Sequence, residues 1–122
     1  DWSSDVCSSD LYDMDNSNTA ESAAAYALCY KCHNRTIVLS SASCATHTRH
    51  ISGENASCSI CHDPHGISSA QGNTTNNAHL VNFDKRFVTP SSSGVLRWEQ
   101  TSTGKGRCYL TCHGENHNPQ SY

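Results

Sequence analysis

Cys58-Ser59-Ile60-Cys61-His62-Asp63-Pro64-His65-Gly66 is the stretch on which the reading of this 122-residue chain turns. Two thiols three residues apart, with a histidine directly after the second, form the attachment pattern of a covalently held c-type haem. The thiols add to the porphyrin vinyl groups and the histidine ligates the iron. The pattern occurs again as Cys29-Tyr30-Lys31-Cys32-His33, and once more with an extra residue as Cys108-Tyr109-Leu110-Thr111-Cys112-His113. A lone Cys-x-x-Cys pair also suits zinc, but a zinc module has no reason to repeat the adjacent histidine. The expectation is three covalently bound haem c groups, tethered by Cys29, Cys32, Cys58, Cys61, Cys108 and Cys112, with His33, His62 and His113 as proximal iron ligands.

The composition agrees with a fold organised by cofactors. Hydrophobic residues make up 35%, aromatics 7%, and the mean hydropathy is -0.61. A chain of this length is one domain at most, and a thin core needs staples such as disulfides, metals or cofactors. The net charge of -3 and the lack of a basic stripe argue against nucleic acid. The longest apolar stretch, Ala23 to Tyr30, falls far short of the roughly 20 residues of a membrane-spanning helix. Haem attachment of this type is extracytoplasmic, so the expected location is periplasmic or extracellular, with an export signal absent from this chain.

The first eleven residues stand apart. Ser3-Ser4-Asp5-Val6 nearly repeats as Ser8-Ser9-Asp10-Leu11. Two readings are open for 1–11: a non-native segment resembling a translated sequencing adaptor, or a disordered Ser/Asp-rich terminus. Neither carries chemistry, and the triheme domain is expected over 12–122. The expected fold class is mainly irregular, with short α-helices and one β-hairpin.

Asn18 and Glu21 suggest a helix start. That helix would run through Ala27 and Leu28 to end at the first motif. Thr36 to Leu39 reads as extended. A second helix capped by Ser40 or Ser41 would run to Ile51 and stop at Gly53, with His47 and His50 on one face. Asp63 to Asn77 and Thr101 to Gly106 read as loops. Arg86 to Thr89 and Val95 to Glu99 suggest the hairpin, turning at Pro90–Gly94.

Five histidines remain as candidate distal ligands: His47, His50, His65, His79 and His117. Three of them suffice to make every iron six-coordinate. Met14 is the only methionine and can serve at most one iron, so the surplus favours low-potential bis-His haems. His65 lies too close to His62 to reach around the same ring, and fits a neighbouring haem better. Cys44 is left over. It can pair with Cys7, pair with a region outside this chain, or stay a buried thiol.

The block from Cys58 to Gly66, with His79-Leu80-Val81-Asn82-Phe83-Asp84 and Cys108 to Gly114, resembles the doubled-motif multihaem cytochromes c of metal-reducing and sediment bacteria. The resemblance covers roughly Ala20 to Tyr122. It implies electron transfer through closely packed bis-His haems, supports His65 and His79 as distal ligands, and implies other redox proteins or cytochromes as partners. Relatives often carry more haems, so the chain is expected to be the C-terminal part of a longer protein. Three alternatives stand beside this reading. A multihaem reductase of a small oxyanion would need one open iron. A zinc or disulfide scaffold would need no haem. A subunit of a homo-oligomer or extracellular cytochrome filament would need exposed haem edges.

Overall fold

The computed structural model describes residues 20–40, 46–73 and 79–122. Asn18, Met14, Cys7, Cys44 and the 1–11 segment lie outside the described residues. The chain folds as two compact units, Asp1–Ser57 and Cys58–Tyr122.

In the first unit, Ser22 Oγ accepts from the Ala25 amide at 3.0 Å and starts a turn. The turn leads into α1, Ala27–Tyr30. Tyr26 is fully buried and stacks against Tyr30 with ring centroids 6.2 Å apart. Asn34 then caps α2, Arg35–Val38, its side chain accepting from the Ile37 amide at 3.1 Å. This corrects the extended reading of Thr36 to Leu39. β-branched Thr36, Ile37 and Val38 favour strands, but the asparagine cap starts a helix.

The second helix ends at Gly53 as expected, but its described part, Thr48–Gly53, is π-helical. Ser41 of its expected start lies outside the described residues. The wider i→i+5 winding turns less per residue than an α-helix. His47, at the N-cap, and His50 are therefore further apart around the axis than the expected shared face. Ile51 is buried beneath this turn.

The second unit opens with α3, Cys58–Cys61, whose Ile60 is buried. The following segment is irregular through residue 73, as expected, with residues 74–78 outside the description. Buried Gln71 acts like a strand backbone: its Nε2 donates to the Phe83 carbonyl at 3.0 Å, and its Oε1 accepts from the Phe83 amide at 2.7 Å. A buried amide with both groups satisfied avoids the penalty of an unpaired polar group.

A three-stranded antiparallel sheet replaces the single expected hairpin: β1 Arg97–Ser102, β2 Lys105–Cys112 and β3 Glu115–Ser121, in the order β1-β2-β3. The Pro90–Gly94 turn does form, with Ser91 donating to the Val95 carbonyl at 2.8 Å. Its arms do not pair with each other. Thr89 bridges to Thr111, and β2 takes β1 as its partner. Ser92 and Ser93 of the turn instead dock on Asn116 and Asn118 of β3. The expected Thr101–Gly106 loop shrinks to a tight turn at Thr103-Gly104, where Gly104 takes φ +69. Between Cys108 and Leu110 the β2–β3 register shifts. Pro119 sits there on the edge strand, where its missing N–H is tolerated.

Side chains alternate along a strand, and this sorts the sheet. Arg97, Glu99, Arg107 and Tyr109 share the outer face. There Glu99 pairs with both arginines at 2.6 Å, and both guanidinium groups lie over the Tyr109 ring. Trp98, Gln100, Cys108, Leu110 and Cys112 share the inner face, where Trp98 and Leu110 are buried with Ile60, Val81, Phe83 and Val88. Gly106 presses on the Trp98 ring. A Cβ there would stand 2.7 Å from the indole Cε2 and 2.9 Å from the Glu99 carbonyl, so only glycine fits.

Candidate functional site

The first motif sits on α1 and the turn after it. The His33 amide donates to the Cys29 carbonyl at 3.0 Å, so Cys29 and Cys32 lie one helical turn apart on one side. Glu21 clamps both ends of this motif. Its carboxylate accepts from Tyr30 Oη at 2.9 Å and from Arg35 Nε and Nη2 at 2.8 Å each. The Arg35 hydrogen bonds hold the Glu21 carboxyl below its ordinary range. The helix-start reading assigned Glu21 to capping, and no local pattern marks this clamp. Two large apolar side chains beside the motif are uncovered: Leu28 at 42% exposure and Ile37 at 56%.

The second motif coincides with α3 and its exit. The His62 amide donates to the Cys58 carbonyl at 2.8 Å, and His62 bridges to Val81. The His62 ring nitrogen Nδ1 lies 2.7 Å from the His79 carbonyl. A carbonyl can only accept, so in the neutral ring Nδ1 carries the proton and Nε2 the lone pair. That tautomer is the one a metal-ligating imidazole needs, and a backbone carbonyl behind the ring is a common way to orient such a ligand. The strap that supplies this carbonyl is firmly held. Leu80 takes a left-handed φ of +52, costly for a leucine. Its carbonyl accepts from the Asp63 amide at 3.0 Å. Asn82 Nδ2 donates to Asp63 Oδ2 at 3.2 Å. Leu80 is itself 42% exposed, the third large apolar side chain left open beside a motif.

The third motif lies on central strand β2. Thiols three apart share a side on a helix, but on a strand only an even separation places them on one face. Cys108 and Cys112, four apart, share one face of β2. They are spread about 13 Å along the strand, against about 5–6 Å for neighbours on a helix. On the strand as it stands the two thiols are too far apart for a single porphyrin edge; the strand ends at a turn where His113 takes φ +42 and Gly114 φ +83.

The remaining histidines divide with the units. The first unit holds one motif with His47 and His50, and the second holds two motifs with His65, His79 and His117. His50 Nδ1 lies 2.9 Å from the Thr46 carbonyl, which again leaves Nε2 as the lone-pair nitrogen. His65 Nδ1 lies 3.1 Å from Asp63 Oδ1, and its ring is largely exposed. The His79 ring meets Trp98 edge-on at 5.5 Å. The His117 ring lies 5.9 Å from that of His113.

No two of the six motif cysteines are joined in a disulfide. Among the described residues no group of three or more His, Cys, Asp or Glu side chains converges as a metal site would. No described helix is long and apolar enough to cross a membrane. No protein-family model, curated protein or solved structure matches this chain.

Proposed function

We propose that the chain is a small triheme c-type cytochrome that relays single electrons outside the cytoplasm, with bis-His, low-potential haems. The observation that carries this reading is the threefold recurrence of paired cysteines followed at once by histidine. Two features support it. The His62 ring is held in the ligand-competent tautomer by the His79 carbonyl. The cysteine pairs of the first two motifs each lie on one side of a helical turn.

Haem would supply a one-electron iron couple, tuned by axial ligand, burial and hydrogen bonding. The chain's own residues would fix that group. Cys29 and Cys32, Cys58 and Cys61, and Cys108 and Cys112 would tether it, and His33, His62 and His113 would ligate from the proximal side. Three of His47, His50, His65, His79 and His117 would supply the sixth ligands. Leu28, Ile37 and Leu80 offer apolar surface that a porphyrin face would cover.

Relay rather than small-molecule chemistry requires every iron to be six-coordinate. The expected result is that carbon monoxide leaves the visible spectrum of the reduced protein unchanged. Tight binding at one haem would show an open iron and contradict a pure relay.

A further inference from the structure

His33 and His62 close equivalent motifs but are held differently. The His62 ring has the His79 carbonyl behind it. His33 is exposed, and among the described residues no hydrogen bond holds its ring. A metal-ligating imidazole is usually oriented by a partner on its second nitrogen. Where that partner is missing, the direction of the ring follows from the backbone that carries it. At His33 that backbone is a junction between two short helices. The His33 amide still donates to the Cys29 carbonyl at 3.0 Å, and Asn34 already caps α2.

One carboxylate spans the junction. Glu21 accepts from Tyr30 Oη, three residues before His33, and from the Arg35 guanidinium, two residues after it. An ordinary surface ion pair would contribute little, but three features set this one apart. Arg35 engages both carboxylate oxygens, Nε on Oε1 and Nη2 on Oε2, in the fork geometry of the stronger charge-assisted pairs. A third donor, Tyr30, comes from inside the motif itself. The Glu21 side chain is only 7% exposed, so water competes little for it. Glu21 also has a firm base. The next residue, Ser22, gives its carbonyl to the Tyr26 amide at 3.1 Å, and buried Tyr26 stacks on Tyr30.

We propose that Glu21 is the positioning residue of the first haem site: by fastening Tyr30 and Arg35 it fixes the backbone on both sides of His33, and with it the direction of the imidazole that ligates the iron. The assignment rests on the haem reading above and concerns the first motif alone, where Cys29 and Cys32 lie one helical turn apart. Glu21 acts through Tyr30 and Arg35, makes no bond to the iron and transfers no electron.

The test uses the full-length holoprotein in its ferric state. With two imidazole ligands on one iron, the low-spin electron paramagnetic resonance signal follows the angle between the two ring planes. The signal of the first haem is the one missing from a Cys29→Ser/Cys32→Ser variant. Glu21→Gln keeps the size of the side chain and loses the fork. The expected result is that it shifts or broadens the first-site signal, leaves the others in place and keeps the haem count by intact mass. An unchanged first-site signal would overturn the assignment. So would equal shifts at every haem, because they would show general loosening rather than positioning. Should Glu21→Gln fail to accumulate or to keep the first haem, Tyr30→Phe and Arg35→Lys decide. Each removes part of the brace, and an unchanged first-site signal in both would count against the proposal. A native chain without a low-spin first haem removes this assignment together with the haem reading. A native low-spin signal that Glu21→Gln leaves untouched removes the assignment alone.

Discussion

Replacing Cys58 and Cys61 together by serine is expected to lower the haem count from three to two and leave the other sites loaded. The reason is local. α3 is four residues long, and Ile60 is its one buried side chain. Its serine version keeps that anchor, the Cys58 carbonyl that receives the His62 amide, and the His79 carbonyl behind His62. The polypeptide around the site should therefore persist while the covalent tether is gone. Intact mass under denaturing conditions checks this, because a thioether-bound haem stays on the chain and a merely ligated one is lost. A variant that still carries three haems would show that these thiols are not the tether.

Trp98→Ala is expected to destabilise the protein by about 3–5 kcal/mol, the usual range for emptying a large aromatic site in a core. Trp98 is buried on the sheet's inner face. Its Nε1 donates to Tyr122 Oη at 2.7 Å, which latches the C-terminal residue. Its carbonyl accepts from Asn73 Nδ2 at 2.7 Å, and its ring takes the edge of His79. Gly106 is bare because the indole fills the space over it, so its backbone cannot close the cavity. Small domains hold only about 5–15 kcal/mol in total, and this loss brings the chain near unfolding. Trp98→Phe keeps most of the packing and loses the indole donor, at a cost of about 1–2 kcal/mol. Guanidinium titration of both variants checks the ranking, and an alanine variant within 1 kcal/mol of the native chain would contradict the role given to Trp98.

The helical setting of the first motif was legible in the sequence because its information is local: Cys29 to His33 occupies one turn, and the stop at Gly53 holds in the structure. The helix under Cys58 to Cys61 was not read from the sequence. The strands were less legible. β2 opens on Lys105-Gly106-Arg107, and β3, with the sequence Glu115-Asn116-His117-Asn118-Pro119-Gln120-Ser121, has no apolar residue to set a period of two. Those strands form because Trp98 and Leu110 bury one face while Glu99 pairs with Arg97 and Arg107 beside Tyr109 on the other. That is a tertiary cause, invisible to a window of residues. The same limit hid the Glu21 clamp and the His79 carbonyl, since both act across intervals of nine or more residues. The extra residue of the third motif looked like an irregularity in the sequence, and in the structure that motif differs in kind, because Cys108 and Cys112 lie on a strand.

The central claim is that three haems are covalently attached. Its most direct test is the intact mass, under denaturing conditions, of the full chain exported from a host with a haem-attachment system, read alongside its visible spectrum. The expected mass is that of the polypeptide plus three haems, with a Soret band that stays with the chain. A chain of bare polypeptide mass and no Soret band would contradict it.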